Sequence, residues 1–388
     1  MDPRKAPGQR INTAEMRGST LLEPPPFDPA KSAIENHLEV TEVEDLGRNV
    51  FTNTRPQWHP AGGRGVYGGA VLALCLSAAY RTVPEGFFVN SCHCYFLDAA
   101  SAEIPLLLHV ENLRDGRSFA TRTVQARQRG SCVFTTTVSF ARRGSGVRGG
   151  PGNVIEHAAV MPTPEQLGGA ASPPEEWEDE PALLRSFPVQ TSPLHLLNGA
   201  DADPHKRRVC HWIRSRDRIS DEGGHVAHIA ALGNLSDSYF IETVTRVHGL
   251  WRMMFAPQDL PTLPEDLREY VWAMHLQESD PEKKKEETEG DDVKKAMDRD
   301  LDPAKWIGRP EVGMMVSLDH SIYFHNPLKV KADEWMLYEM DSPWTGDGRG
   351  LVTGRIWAKD GTLLATCVQE GTVRLKAKPA GMNEAAKL

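Results

Sequence analysis

The stretch GGAVLALCLSAAYRTV, residues 68–83, decides the fold of this chain. It has the composition of a helix, but apolar side chains occupy all sides of that helix instead of one stripe. Such a helix cannot face water on any side, so a sheet that curves around it is the simplest way to bury it. Three strand-like runs follow it, at residues 87–97, 104–130 and 131–143, and the middle one is long enough for a bent strand or a hairpin.

The same pattern recurs in the second half of the chain. Its strand, long apolar helix and later strands are at residues 207–220, 225–247, 314–325, 334–361 and 362–375. Subtracting Tyr95 from Tyr323 gives an offset of 228, and subtracting Gly130 from Gly361 gives 231. We therefore predict a tandem α+β architecture in which each half is a long apolar helix wrapped by a curved antiparallel sheet, with the two sheets side by side.

Composition divides the chain further. The predicted segments are a polar N-terminal arm at 1–34, a first repeat at 35–142, a linker at 143–195, a second repeat at 196–376 and a tail at 377–388. A charged insertion at about 257–311 separates the helix from the strands in the second repeat, and we interpret its charged part as a solvated surface segment.

The overall totals exclude several classes of protein. Acidic residues outnumber basic ones 53 to 44, and the net charge of -9 disfavours nucleic acid and anionic membranes as partners. Mean hydropathy is -0.43. No apolar run approaches the roughly 18–20 residues of a membrane span, and the start lacks the apolar segment of a signal peptide. Six scattered cysteines do not form a disulfide framework or a zinc motif, so we expect an intracellular protein with reduced thiols.

Three polar residues of the second repeat align with small apolar residues of the first. These pairs are Gln369 with Val138, Ser317 with Val89 and, when the helix ends are aligned with an offset of 164, Asp237 with Ala73. A carboxylate, a hydroxyl and an amide on one side of such a mismatch are typical of an active half-site paired with a silent one. Taken singly, each could instead satisfy a neighbouring backbone group.

Six motifs carry a resemblance to a known family. They are VYGGAVLALCLSAA at 66–79, HCYFL at 93–97, LRDGRSFATRTVQARQRGSCVFTTTVSF at 113–140, SLDHSIYFHNP at 317–327, RGLVTGRIWAKDG at 349–361 and VQEG at 368–371. In this order they resemble the acyl-CoA thioesterase II family, whose members are double hot-dog hydrolases. The resemblance covers roughly residues 35–142 and 205–375, and it implies that Asp237, Ser317 and Gln369 bind and activate the hydrolytic water.

The chemistry of a thioester agrees with that implication. Its carbonyl is electrophilic enough for direct attack by a positioned water, so neither a covalent nucleophile nor a metal or redox cofactor is needed. Asp237 is the natural base, and Ser317 and Gln369 would orient the water. The developing oxyanion needs donors, which Gly68 and Gly69 can supply as backbone N–H groups at a helix start. The predicted reaction is hydrolysis of fatty acyl-CoA to free fatty acid and CoA.

Contacts to the CoA part of the substrate are less clearly marked. Arg114, Arg117 and Arg122 could hold the CoA phosphates, but paired charges on a sheet surface explain them equally well. The chain departs from the family pattern at Ala70, where a Gln is usual, and at Asp98, which begins a loop that often reads Arg-Pro-Gly. The change at Ala70 could alter the acyl or carbonyl contacts. The change at Asp98 puts the CoA phosphate contacts near that loop in doubt.

The chain ends in Ala386-Lys387-Leu388, which resembles the SKL-type peroxisomal address. We therefore expect a peroxisomal import receptor as a partner and a peroxisomal location, with the cytoplasm as the alternative. Sheet edges in this architecture commonly associate, so a homo-oligomer is also expected.

Two other functions remain open on the sequence alone. A hot-dog hydratase or dehydratase acting on enoyl-CoA would need a His and Asp pair in the site, and His320 beside Asp319 offers one. A non-catalytic acyl-CoA-binding module would leave the three polar residues to satisfy one another, and it would bind acyl-CoA without turnover.

Overall fold

The structure is a computed structural model of the whole chain. It describes residues 19–58, 65–145, 155–174, 187–192, 194–198, 202–253, 256–265, 267–268, 271 and 301–377. The C-terminal tripeptide at 386–388 and the charged part of the insertion at 272–300 lie outside the described residues.

Five helices and fourteen strands are described. The helices are α1 (Ala33–Leu38), α2 (Gly68–Tyr80), α3 (Pro164–Leu167), α4 (Gly224–Leu235) and α5 (Glu242–Val247). The strands of the first half are β1 (Val40–Glu42), β2 (Val50–Asn53), β3 (Phe87–Phe96), β4 (Leu107–Asp115), β5 (Phe119–Gln128) and β6 (Ser131–Arg142). Those of the second half are β7 (Val189–Thr191), β8 (His195–Leu197), β9 (Arg208–Ser215), β10 (Val312–Ser317), β11 (Asp319–Phe324), β12 (Met336–Gly346), β13 (Arg349–Ala358) and β14 (Leu363–Leu375).

All fourteen strands join one antiparallel sheet whose order is nearly a palindrome. Along the sheet the order is β1-β2-β4-β5-β6-β3-β11-β14-β13-β12-β9-β7, with β10 also paired to β14 and β8 to β9. Each half therefore repeats the same sequence of strands, and the halves meet where β3 pairs with β11. This confirms the predicted tandem hot-dog fold of the α+β class.

The strand ladders also confirm the sequence offsets of the repeat. His93 lies opposite Ser321 at the centre of the β3–β11 ladder, and Nδ1 of the histidine is 2.9 Å from the serine hydroxyl. These two residues are 228 positions apart, so a twofold axis through this pair relates the two halves. A second pair of positions gives the same offsets. Val89 pairs with Phe140 in β6 and Ser317 pairs with Gly371 in β14, and these partners differ by 228 and 231 respectively.

The long helices α2 and α4 pack against each other on the inner face of the sheet. Ten of the thirteen residues of α2 are buried, which explains why its sequence is apolar on every side. The two backbones approach so closely that a Cβ at Gly69 would lie 2.5 Å from the carbonyl oxygen of Asn234. Among the described residues no helix has the length and apolar character needed to cross a membrane.

The helix alignment of the sequence analysis is wrong by several residues. The helices begin at Gly68 and Gly224, which are 156 positions apart, and not the 164 that aligned Asp237 with Ala73. The error arose because residues 225–247 do not form one helix. The chain leaves α4 at Leu235, passes through a turn in which Tyr239 has a φ of 56°, and only then enters α5.

Parts of the predicted linker and insertion pack onto the second half. Strand β7, within the segment taken as linker, pairs with β9, and the turn after α3 accepts a hydrogen bond of 2.9 Å from the indole of Trp212. In the insertion, Leu260, Val271, Leu301 and Trp306 form a small separate apolar cluster with Trp251, which precedes the insertion. A short apolar cluster under a surface segment is enough to anchor it without joining the main core.

Candidate active site

A cleft of about 620 Å³ opens at the N-terminal end of α2, between the two halves. Its wall is mostly apolar, with contributions from α2, the end of β3, the start of β6, the α4–α5 turn and β10. The apolar lining residues are Val66, Val71, Phe96, Leu97, Ala99, Ala100, Val133, Phe134, Phe240, Ile241, Met314, Met315, Val316 and Leu318. A narrow apolar cleft with a few polar groups at one place suits a ligand with a hydrocarbon chain and one reactive polar bond.

Asp237 is the carboxylate of this cleft. It lies in the turn just after α4, and its Oδ1 accepts a hydrogen bond of 2.7 Å from Nε2 of Gln369. The backbone N–H of Gly69 also donates to it. Burial raises the pKa of Asp237 to about 6, against the opposing effect of these two hydrogen bonds. A carboxyl that titrates near neutral pH is suited to act as a general base.

Gln369 lies behind Asp237 and not in the cleft wall. It sits on the inward face of β14, is fully buried, and is not among the described residues that line the cleft. The amide on this apolar face therefore has a definite contact, because its N–H holds the Asp237 carboxylate. Its Oε1 has no hydrogen-bond partner among the described residues.

Ser317 reaches the same place from the other side. It is the last residue of β10, it pairs with Gly371 two positions beyond Gln369 in β14, and it lines the cleft together with Asp237. The structure thus brings the three predicted residues into one neighbourhood. Asp237 and Ser317 face the cleft, whereas Gln369 contacts Asp237 from behind.

Gly68 and Gly69 are held at the start of α2 by close approach. A Cβ at Gly68 would lie 2.7 Å from the ring of Phe96 and 3.0 Å from Oδ2 of Asp237. At Gly69 it would meet the backbone of the facing helix, as described above. The predicted roles of these two glycines differ in the structure, because the N–H of Gly69 is directed at Asp237. Gly68 lines the cleft and is the remaining candidate for an oxyanion donor from this pair.

Arg122 is not available to bind CoA, which corrects its assignment as a phosphate contact. Its side chain is fully buried, and it donates 2.9 Å hydrogen bonds to both the hydroxyl and the carbonyl oxygen of Thr82. It also donates to two backbone carbonyl oxygens and to Asp115. Arg122 therefore ties the end of α2 to the β4–β5 hairpin.

Arg114 and Arg117 are exposed, but they lie at the wrong end of the strands for this cleft. They flank the β4–β5 turn, whereas β6 contributes to the cleft at Phe134, which pairs with Ala126 near the other end of β5. Six residues of strand separate Ala126 from Ala120, which spans about 20 Å at 3.3 Å per residue. The two arginines are thus remote from the cleft within this chain.

Arg349 was not among the predicted site residues, although the same repeat could have identified it. It aligns with Arg117 at an offset of 232, and it begins β13 opposite Thr372, the residue after the Ser317 partner Gly371. Its side chain is 42% exposed and pairs with Glu370 at 2.9 Å. The repeat therefore identifies Arg349 as an arginine near the cleft end of the second half. Arg114 and Arg117 of the first half lie far from the cleft.

The two departures from the family pattern have different surroundings. Ala70 is buried in α2 and is not among the described residues that line the cleft. Asp98 lines the cleft, where its Oδ1 accepts a 2.8 Å hydrogen bond from the backbone N–H of Ala99. Asp98 thus orders its own loop at the rim of the cleft.

His320 and Asp319 do not form a catalytic pair. As neighbours in β11 they point to opposite faces of the sheet. His320 is fully buried, and burial lowers its pKa to about 3, so it stays neutral. Asp319 instead accepts a 2.8 Å hydrogen bond from the backbone N–H of Glu370. This arrangement does not support the hydratase alternative.

Comparisons with known proteins extend over both halves. A family model described as the acyl-CoA thioesterase N-terminal domain matches residues 55–141, and one described as the C-terminal domain matches 164–373. Human acyl-coenzyme A thioesterase 8 is 30% identical over 87% of this chain and 88% of its own length. Peroxisomal acyl-coenzyme A thioester hydrolase 1 of Saccharomyces cerevisiae is 29% identical over 40% of this chain and 43% of its own length. The crystal structure of an acyl-CoA thioesterase II from Mycobacterium marinum has a TM-score of 0.55 and 25% identity, and the match covers 91% of this chain and 100% of that one.

Proposed function

The chain belongs to the acyl-CoA thioesterase family, and on that premise we propose that Asp237 is the general base that activates the hydrolytic water. As a member of this family, the protein hydrolyses the thioester bond of fatty acyl-CoA to free fatty acid and CoA.

The observation that carries the proposal is the position of one carboxylate. Asp237 faces the apolar cleft, burial raises its pKa to about 6, and Gln369 and Gly69 hold it by hydrogen bonds. At neutral pH it is mostly ionised, yet it is basic enough to take a proton from an attacking water. The acyl chain would occupy the apolar part of the cleft.

In the proposed reaction a water lies between Asp237 and the thioester carbonyl. Asp237 accepts a proton as the water oxygen bonds to the carbonyl carbon, and the carbonyl oxygen becomes an oxyanion near the N–H of Gly68. Collapse of that intermediate breaks the carbon–sulfur bond, and the proton on Asp237 passes to the leaving thiolate. Ser317 faces the cleft beside Asp237 and would hydrogen-bond the water. Gln369 acts through Asp237, because it is buried behind it.

Thiol release from acyl-CoA substrates of increasing chain length tests this assignment. We expect the wild-type protein to release CoA, and Ser317→Ala and Gln369→Ala to turn over at least about tenfold more slowly with unchanged folding. Normal turnover in both variants would overturn the site. Tight binding of acyl-CoA without release by the wild-type protein would favour the binding-module alternative.

We propose in addition that the protein is peroxisomal and that Ala386-Lys387-Leu388 is read by the import receptor. The support is the tripeptide itself and the name of the yeast relative as a peroxisomal hydrolase. A fluorescent fusion at the N-terminus should give a punctate pattern, and removal of Leu388 should make it cytosolic without loss of hydrolase activity. A punctate pattern after that removal would contradict the proposed address.

A further inference from the structure

Two buried polar atoms behind Asp237 have no hydrogen-bond partner among the described residues. They are Oε1 of Gln369 and Nδ1 of His320, and both side chains are fully buried. An unpaired buried polar atom destabilises a fold, because it loses its hydrogen bonds to water without replacing them. Two such atoms in one place therefore call for a common explanation.

The strand register places these two side chains opposite each other. Ser321 of β11 pairs with Val368 of β14, so one step along the ladder puts His320 across from Gln369. Ile322 and Cys367, the next facing pair, are also buried, which puts all four side chains on the inner face. Directly opposed side chains have Cβ atoms about 4.5–5.5 Å apart, within reach of a bond between an imidazole and an amide.

The other ring nitrogen of His320 joins it to the residue before the proposed base. Nε2 is 3.0 Å from the hydroxyl oxygen of Ser236, which itself lies 2.9 Å from the carbonyl oxygen of Gly233. Because burial keeps the ring neutral, one nitrogen carries a proton and the other accepts. The position of that proton decides which contacts the ring can make.

Only one tautomer can pair both of the side-chain atoms that lack a partner. With the proton on Nε2, the ring donates to Ser236, whose hydroxyl donates to Gly233, and both Nδ1 and Oε1 of Gln369 are acceptors without a donor. With the proton on Nδ1, the ring donates to Oε1, and the hydroxyl of Ser236 turns from the carbonyl oxygen of Gly233 to donate to Nε2. The second arrangement takes one donor from the Gly233 carbonyl, whereas the first leaves two buried side-chain atoms unpaired, so the second is favoured on energetic grounds.

We propose that His320 is a positioning residue for hydrolysis, which acts by donating from Nδ1 to Oε1 of Gln369. This bond sets the orientation of the amide, so that its NH₂ group and not its oxygen faces Asp237. A reversed amide would present an oxygen to the carboxylate and would repel the ionised form. Ser236, His320, Gln369 and Asp237 then form a continuous chain of hydrogen bonds behind the cleft. The inference rests on the proposed role of Asp237 and Gln369.

Two substitutions of His320 separate positioning from packing. An asparagine can place its NH₂ group near the position of Nδ1, whereas a leucine fills the space without a donor. We expect His320→Leu to lower kcat about tenfold with KM within about twofold, and His320→Asn to recover most of that loss. Equal losses in the two variants, or unchanged kcat in His320→Leu, would overturn the proposal.

A double-mutant cycle with Gln369→Ala tests whether the effect passes through the amide. If His320 acts only through Gln369, His320→Leu should have little further effect on kcat in the Gln369→Ala background. Independent, multiplying losses would overturn the proposal. If Gln369→Ala alone has no effect on kcat, the proposed site fails first. If it has its expected effect and His320→Leu does not, only the role of His320 fails.

His211 provides a matched control. It too is fully buried and neutral, with its pKa lowered to about 3 by burial, and it stacks on Tyr338 at 5.9 Å. We expect His211→Leu to change the melting temperature but to leave kcat within about twofold of wild type. A loss of kcat equal to that of His320→Leu would show that any buried histidine of this half affects turnover through packing, and would overturn the proposal.

Discussion

The two halves of this molecule place different chemistry at equivalent positions. In the second half, Asp237 approaches Gly68 so closely that a Cβ there would lie 3.0 Å from Oδ2. Where the two long helices cross, a Cβ at Gly233 would lie 2.7 Å from Cδ1 of Leu76, and these two positions are 157 apart, one more than the helix starts. The same offset relates Gly68 to His225 and Asp237 to Tyr80, whose Nε2 and hydroxyl oxygen lie 3.3 Å apart. The twofold axis therefore exchanges a glycine and a carboxylate for an imidazole and a phenol.

The remaining positions show the same contrast. Val89, the counterpart of Ser317, donates its backbone N–H to the Tyr80 hydroxyl at 2.9 Å, and Val138 stands where the other half has Gln369. Large side chains thus fill the first half-site, and aliphatic ones replace the polar groups. A duplicated fold needs only one set of polar residues to hydrolyse its substrate, and the other copy can keep residues that pack well.

The substitution Asp237→Asn removes the carboxylate that most distinguishes the second half from the first, and it should have the largest effect on turnover. We expect kcat for acyl-CoA hydrolysis to fall about 100-fold or more, because the base is removed while the shape is kept. Folding should not suffer. The folded-state pKa of about 6 lies above the unfolded value, so ionising Asp237 opposes folding, and this destabilisation develops as pH rises from about 4 through 6.

Thermal unfolding of Asp237→Asn at two pH values provides the control for that prediction. At pH 7.5 the variant should melt at the same temperature as wild type or higher, and its advantage should shrink at pH 5. Turnover close to wild type would remove Asp237 as the base. A variant that unfolds at lower temperature at both pH values would mean that the side chain is needed for packing.

Replacing the amide with its first-half counterpart, as Gln369→Val, should lower kcat by roughly 10–100-fold. The loss is smaller than for Asp237 because the base remains, but its orienting donor is gone and its pKa should rise further. The measurement is kcat across pH, where we expect the acid limb of the profile to move to higher pH. An unchanged profile with a normal rate would leave Gln369 without a role in the reaction.

The acid limb of the pH–rate profile should come from the second half alone, since Val89 and Tyr80 of the first half offer no comparable base. Asp237 must be ionised to accept a proton, so kcat/KM should be level above its pKa of about 6 and should fall about tenfold per unit below it. The limb should be absent from the residual activity of Asp237→Asn. A limb that persists there would belong to another group.

How much of this could be predicted from sequence differs between strands and helices. The strand offsets of 228 and 231 are confirmed because the strands of the two halves pair in equivalent registers over long ladders. The dipeptides Tyr95-Phe96 and Tyr323-Phe324 therefore occupy equivalent places in the two halves. The helix offset was wrong because the polar turn after Leu235 was included in the helix. Phe240, an apolar residue beyond that turn, continues the helix-like spacing and so hides the end of the helix. Hydrophobic periodicity alone does not detect a turn between two helices.

The candidate site was predicted in composition but not in its internal roles. The repeat mismatch identified Gln369 and Ser317 because each polar residue replaced an apolar one at a confirmed register. It did not show that Gln369 lies behind Asp237, since depth behind a cleft depends on packing between elements far apart in sequence. Arg122 was misjudged for the same reason, because an arginine on an alternating strand does not reveal whether it faces solvent or the end of a helix.

The smallest effect on turnover is expected from Tyr80→Phe, which removes the hydroxyl from the silent half-site. That hydroxyl accepts the Val89 N–H and contacts His225, so its loss should lower the free energy of unfolding by about 1–2 kcal/mol and the melting temperature by a few degrees. We expect kcat and KM to stay within about twofold of wild type, because both contacts lie on the far side of the twofold axis from Asp237. A tenfold fall in kcat without a change in melting temperature would mean that the first half-site takes part in hydrolysis. The two half-sites would then cooperate in hydrolysis. The phenol of Tyr80, held by a backbone N–H, would act at the position where the second half uses the carboxylate of Asp237.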